Sequence, residues 1–142
     1  MTDDRTAGYS GTPLVTKLGV KPGARVLLMG APDDYRTWLA PLPVGVTFGA
    51  DPKRRGVDVV HLFVTTLAAL DKQLPRARKA MKPEGALWVS WPKKASKIPS
   101  DVTENLIRDR ALKTDLVDVK VCAVTETWSG LKLVVRKSLR PG

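Results

Sequence analysis

An α/β three-layer sandwich, built on one mostly parallel sheet with a C-terminal antiparallel hairpin, is the fold that this sequence predicts. Three observations predict it. Short apolar runs alternate with helix-period stripes from Arg25 to Ile107, and strand alternating with helix argues for parallel strands covered on both faces. Two runs of strict alternation, Leu116 to Val124 and Leu131 to Val135, flank a turn-rich stretch and read as a hairpin. A chain of 142 residues that is 43% hydrophobic suits one domain with one core. That domain spans residues 1–142, with flexible ends at 1–8 and 138–142.

The elements follow in order. Thr12 reads as an N-cap and Pro13 as the first helical position of a short helix, with Leu14, Val15 and Leu18 on its apolar side. Gly19 ends it as a left-handed residue, and Val20 folds back. Arg25 to Met29 is apolar enough for a strand buried on both faces. After Gly30-Ala31-Pro32, Asp33 or Asp34 caps a helix whose Tyr35, Trp38, Leu39 and Leu42 fall on one face. Pro41 and Pro43 end it, and Val44 to Gly49 is a short strand. Val57 to Val64 is the next strand. Leu67, Leu70, Leu74, Ala77 and Met81 form a helical stripe that Pro75 is expected to kink or split. Lys82-Pro83-Glu84-Gly85 reads as a turn into the strand Ala86 to Trp91. Ser100 or Asp101 caps the last helix, with Glu104 placed for a capping box. In the run from Leu116, Val117, Val119, Val121 and Ala123 share one face. Arg136 to Gly142 is a basic tail expected to fray.

Composition narrows the function. No apolar run reaches the roughly 18 residues of a membrane span, and the polar N-terminus lacks the apolar core of a secretory signal, which places the chain as soluble and cytoplasmic, with no membrane partner. Cys122 stands alone, so no internal disulfide forms. One His and one Cys give no transition-metal set, and no metal is expected. The formal net charge of +10 favours anionic partners.

The site is expected where open α/β sheets bind ligands, past the carboxyl ends of the strands. Pro92 stops the strand, and Trp91, Lys93, Lys94 and Ser96 follow as an exposed indole, two ammonium groups and a hydroxyl suited to a phosphate or carboxylate. Trp128 and Ser129, at the hairpin tip, are the second candidate wall of that pocket. Each also has a structural reading: Trp91 as a lid on the core, and Ser129-Gly130 as turn chemistry. The stretch from Gly8 to Thr12 reads as a lid or as an N-terminal strap. Asp51, about 20 residues after Gly30, matches the spacing of a ribose-binding acid and equally a turn aspartate before Pro52. The single histidine, His61, lies mid-strand, as a catalytic base or as a satisfied core residue. No catalytic set can be assembled from these residues. Lys53-Arg54-Arg55 and Arg76, Arg78 and Lys79 are basic clusters.

Three stretches carry a resemblance. They are Gly8-Tyr9-Ser10-Gly11-Thr12-Pro13; Ser90-Trp91-Pro92-Lys93-Lys94-Ala95-Ser96 with the strand Val57 to Val64 before it; and Leu116 to Val124 with Glu126-Thr127-Trp128-Ser129-Gly130. Together they resemble a family of small uncharacterised bacterial proteins that form a domain of unknown function. More distantly, Lys82-Pro83-Glu84-Gly85 before a strand and the closing hairpin are similar to class I S-adenosylmethionine-dependent methyltransferases. That resemblance implies a Rossmann-like sheet and a cofactor held on a glycine-rich loop after the first strand. Here the loop, Gly30 to Asp34, holds one glycine, and Pro32 has no N–H to offer. The chain before Val57 is too short for two further strand–helix units. The expectation is therefore a pocket for a small anionic or nucleotide-like ligand, with no cofactor. A basic nucleic-acid-binding module and a divergent methyltransferase are the alternatives.

Overall fold

The computed structural model describes residues 12–139. Four parallel strands, β1 (Arg25–Met29), β2 (Thr47–Gly49), β3 (Val57–Phe63) and β4 (Met81–Pro92), are followed by β5 (Leu116–Ala123) and β6 (Trp128–Val135). The sheet order is β2-β1-β3-β4-β6-β5, with β6 antiparallel to both its neighbours. The expected α/β class, with a mostly parallel Rossmann-like sheet and an antiparallel closing hairpin, is the observed one. The helices are α1 (Leu14–Lys17), α2 (Tyr35–Leu39), α3 (Leu67–Ala80) and α4 (Glu104–Leu112).

Strand alternation sends neighbouring residues to opposite faces, and each face has its own core. On one, Leu27, Val60, Leu62, Leu87, Val89, Leu131 and Leu133 meet Leu70, Leu74 and Ala77 of α3 and Ile107 and Ala111 of α4. On the other, Val26, Val59, Phe63 and Trp88 meet Leu14 and Leu18 of α1 and Tyr35, Trp38 and Leu39 of α2. The fully buried Trp88 donates its indole N–H to the Leu18 carbonyl at 3.1 Å, which anchors the end of α1 to β4.

Gly19, at φ +76°, ends α1 as expected. Its amide donates to Thr16 O at 3.0 Å and that of Val20 to Val15 O at 3.1 Å, the double bond of a left-handed C-terminus. The start of α1 differs from expectation: Pro13, not Thr12, is the N-cap, and no side chain caps it. Asp34 is the N-cap of α2, again without a side-chain bond. Leu42 falls beyond α2 and is exposed, because the chain turns extended at Ala40 before Pro41.

Pro75 neither splits nor ends α3, which runs unbroken for 14 residues. The proline is on the exposed side, where an amide bond missing from the helix is least costly. Lys82 to Gly85 are not a turn between elements but part of β4. Val57 pairs with Met81 and Val59 with Ala86, so two steps along β3 match five along β4 and the intervening residues bulge. Gly85 makes that bulge possible: a Cβ there would lie 2.8 Å from Asp58 O and 3.2 Å from Val57 O. The cap of α4 is Thr103, whose hydroxyl accepts from Leu106 N at 3.3 Å. Neither Ser100 nor Asp101 caps it. Asp101 instead accepts from Leu67 N at 2.8 Å and so ties the post-β4 loop to the start of α3, beside the Thr66 cap.

β5 is the other departure. Val119 and Val121 are about half exposed, at 53% and 50%, and the register shifts between Asp118 and Lys120. Past that shift Val121 pairs with Leu131 and so lies on the α3–α4 side, at the outer edge of the sheet, where it is left half uncovered. Arg136 is tied back by its amide to Asp115 O at 2.8 Å, and Lys137–Leu139 form one 3-10 turn. Residues 8–11 of the expected strap at Gly8 to Thr12, residues 1–8, and residues 140–142 of the end expected to be flexible at 138–142 lie outside the described residues; residues 138 and 139 belong to the 3-10 turn.

Candidate functional site

The carboxyl edge gathers most of the expected site, though not as one pocket. Pro92 pairs with Trp128 and Trp91 with Ser129, and the Lys93 amide donates to Thr127 O at 2.8 Å. The lysine loop and the hairpin tip are therefore adjacent. The two indoles, however, occupy consecutive register rows, so they point to opposite faces. Trp91 is 9% exposed and packs in the α3–α4 core; it is not the exposed ring that its position before a loop implied. Trp128 packs edge-on against Phe63, ring centroids 5.0 Å apart, on the α1–α2 side. Ser96 spends its hydroxyl locally: it donates to Lys93 O at 2.6 Å and accepts from Ile98 N at 3.3 Å. Lys94 opens a single 3-10 turn ending at Lys97, whose φ is +62°. Lys93 and Lys94 are the candidates here whose charged groups form no ion pair among the described residues.

The order β2-β1-β3 places the topological switch point between the carboxyl ends of β1 and β3, where this class of sheet opens a crevice for its ligand. In this protein the chain itself closes that point. Gly30 approaches β3 so closely that a Cβ would sit 2.9 Å from Phe63 O. Behind it, Tyr35, Trp38, His61 and Trp128 all contact or neighbour the Phe63 ring. The Tyr35 hydroxyl meets His61 Nδ1 at 2.8 Å, and His61 Nε2 meets Ser90 Oγ at 2.7 Å. All three residues are buried. Burial pushes the His61 imidazole down to about 3 and the Tyr35 hydroxyl upward. The histidine is thus a neutral, satisfied member of a polar chain, without the solvent access that a base requires. Asp51 accepts from Lys53 N at 2.9 Å, the bond of an Asx turn. With one glycine pressed against a strand, a proline following it and an acid committed to a turn, these residues do not fit S-adenosylmethionine.

Of the basic clusters noted in the sequence, Arg78 and Arg55 are engaged. Arg78 forms a two-pronged pair with Asp115 at 2.8 and 2.9 Å, and Arg55 bonds the carbonyls of Pro52 and Arg54. A different set of cations stands out. On the α1–α2 side, β6 and β5 extend past the helices, and Trp88, Lys132 and Lys120 form one row across β4, β6 and β5. Lys120 Nζ lies 6.0 Å from the Trp88 ring centroid, at the outer limit of a cation–π contact. Lys17 reaches across to donate to Ala123 O at 3.3 Å. Burial pushes the Cys122 thiol up, while Lys17, Lys120 and Lys93 pull against it. Burial also lowers the ammonium pKa of Lys132, with Lys120 and Lys21 adding like-charge repulsion. These lysines form no ion pair among the described residues. Alternation placed Lys120 and Lys132 outward, but only the register shows them opposite one another.

This row runs down to a cavity of about 450 Å³ at the amino ends of β1, β3 and β4, the edge opposite the expected site. Lys21, Lys82, Lys132, Asp58 and Glu84 line it, with the backbone of Gly19, Gly23 and Gly85. Asp58 is already satisfied: it accepts from Arg25 N at 2.8 Å and pairs with Lys82. Burial pushes its carboxyl up, but the Arg25 amide and the Lys82 ammonium together outweigh this and hold it below its usual value. The hydrogen bond that Lys82 donates to Asp58 in turn raises the Lys82 pKa.

No family model matches the chain, and no curated protein matches it in sequence. Solved structures do match in three dimensions. A protein of Sulfolobus solfataricus described as a type 11 methyltransferase superposes with a TM-score of 0.64 at 15% identity, covering 91% of this chain and 93% of its own. An S-adenosylmethionine-dependent methyltransferase from Thiobacillus denitrificans, in complex with S-adenosylhomocysteine, gives 0.58 at 12%, covering 87% and 90%. The ribosomal protein L11 methylase of Lactobacillus delbrueckii subsp. bulgaricus gives 0.54 at 10%, covering 86% and 74%. At these identities the likeness is one of architecture: the chain has the Rossmann-like fold of the class I S-adenosylmethionine-dependent methyltransferases.

Proposed function

We propose that this protein binds phosphate-bearing anions, a single-stranded nucleic acid among them, on the open face of β6 and β5 beside α1. One observation carries the reading. Lys17, Lys93, Lys120 and Lys132 share that face and form no ion pair among the described residues. Cations held close without counter-ions repel one another, and an arriving phosphate removes that cost. Lys93 links the row to the lysine loop at the carboxyl edge, so Lys94 would flank one end of the ligand; Ser96 is bonded within its own loop, and Ser129, in register with Trp91, faces the α3–α4 side. Trp91 takes no part, being buried, and Trp128 supports the loop from beneath.

A labelled oligonucleotide of 12 nucleotides, titrated by fluorescence anisotropy over a range of salt, tests this. Contact with three or four phosphates predicts log K falling against log salt with a slope of about −2 to −3. No binding at low salt, or binding indifferent to salt, would end the proposal.

A divergent methyltransferase is the second reading, favoured by the neighbour that carries S-adenosylhomocysteine. It requires heat on calorimetric titration with S-adenosylmethionine. The closed contact between Gly30 and Phe63 predicts none.

A further inference from the structure

We infer that the cavity at the amino ends of β1, β3 and β4 is a seat for a small phosphate monoester, held between Lys21 and Lys132. The inference rests on the anion-binding reading of the lysine row, because Lys132 belongs both to that row and to the cavity lining.

Charge, shape and backbone each point there. The Lys82–Asp58 pair is internally neutral, and Glu84 acts on Lys82. Lys21 and Lys132 are left without an ion-pair partner among the described residues, and Lys120 stands directly across the strand pair from Lys132. The lining holds three ammonium groups against two carboxylates, and Lys120 beside Lys132 adds a further positive charge, an excess that suits a ligand bearing one or two negative charges. The volume, about 450 Å³, lies within the range of small-molecule sites and exceeds what a bare phosphate needs. Leu18, Val59 and Val134 supply an apolar wall for the remainder of the molecule. The glycines matter because phosphate sites depend on close approach to backbone. Gly19 and Gly23, both at positive φ, have nothing within 4 Å of where a Cβ would stand, so a ligand can come close to their main chain, whose amides are themselves bonded to Thr16 O and Val44 O. Burial lowers the Lys132 pKa, and a bound dianion would raise it again.

Two-dimensional amide NMR of the whole chain provides the test, with inorganic phosphate, ribose 5-phosphate, ribose and succinate as probes. Ribose 5-phosphate should shift the Gly19, Gly23 and Gly85 amides most and inorganic phosphate less, while ribose leaves them unmoved. Lys132→Ala should weaken ribose 5-phosphate binding about tenfold and Lys132→Arg should largely preserve it, both with melting temperatures near that of the parent. Lys120→Ala should change it less than threefold. Shifts with succinate but not with ribose 5-phosphate would overturn the assignment of phosphate. If the oligonucleotide binds the row while ribose 5-phosphate leaves the three glycines unmoved, the cavity inference fails and the row stands. If ribose 5-phosphate moves them and the oligonucleotide does not bind, the cavity stands and the nucleic-acid reading fails.

Discussion

Acid should destabilise this protein before its carboxylates titrate, and a single residue should be responsible. His61 is the only histidine in the chain. It is fully buried, held between the Tyr35 hydroxyl and Ser90 Oγ, and burial pushes its pKa from 6.5 down to about 3. Below pH 6.5 the unfolded chain takes up a proton at this residue and the folded chain does not, so stability falls with pH until about pH 3. From pH 7.5 to 5, 1.5 pH units of that window are crossed. At about 1.4 kcal/mol per unit, the loss is roughly 2 kcal/mol. For a chain of this size that corresponds to a fall in melting temperature of about 6–10 °C. The window is favourable because the carboxyls of Asp58 and Asp115 are held below their ordinary range, so their contribution is lost only at lower pH. Urea denaturation at pH 7.5, 6.5, 5.75 and 5.0, at fixed ionic strength, reads the effect as a shift in midpoint with an unchanged slope. Stability that is flat or rises toward pH 5 would show that His61 accepts a proton in the folded state, and the buried Tyr35–His61–Ser90 chain would then be wrongly described.

Two further predictions separate the structural residues from the surface ones. Trp91→Ala should cost about 3–5 kcal/mol by emptying a core position, while Lys94→Ala should leave the melting temperature within about 2 °C; equal melting for the two would return Trp91 to the surface. Gly30→Ala combines a left-handed φ of +74° with a Cβ 2.9 Å from the Phe63 carbonyl. It should destabilise by about 2–4 kcal/mol in chemical denaturation, and a neutral outcome would mean that the switch point has room to spare.

Much of the frame was legible because it rests on local rules. Arg25 to Met29 is as apolar as a strand covered on both sides must be, and Gly19 has the backbone freedom that the end of α1 requires. The failures come where a distant element decides. Nothing local distinguishes Thr103 from Asp101 as a helix cap; the choice depends on Leu67 lying close enough to claim the aspartate. Lys82 to Gly85 has turn composition, yet Asp58 of the adjacent strand draws it into the sheet as a bulge. The indoles show the same limit at the site. Trp91 and Trp128 were correctly placed at one end of the sheet, but which face each points to depends on the β4–β6 register, and a shift of one residue would exchange them. The lysine row was hidden for the same reason, since its members come from α1, the β4 loop, β5 and β6.

The order β4-β6-β5 has a bearing on how the chain is made. The strand formed from residues 128–135 is inserted between two that leave the ribosome before it. Until it emerges, β4 exposes a long unpaired side and the strand from Leu116 to Ala123 has no neighbour at all. Co-translational collapse can therefore assemble the parallel half early, but closure awaits the final strand. A nascent or truncated chain stopped before Trp128 presents a sticky border to other chains.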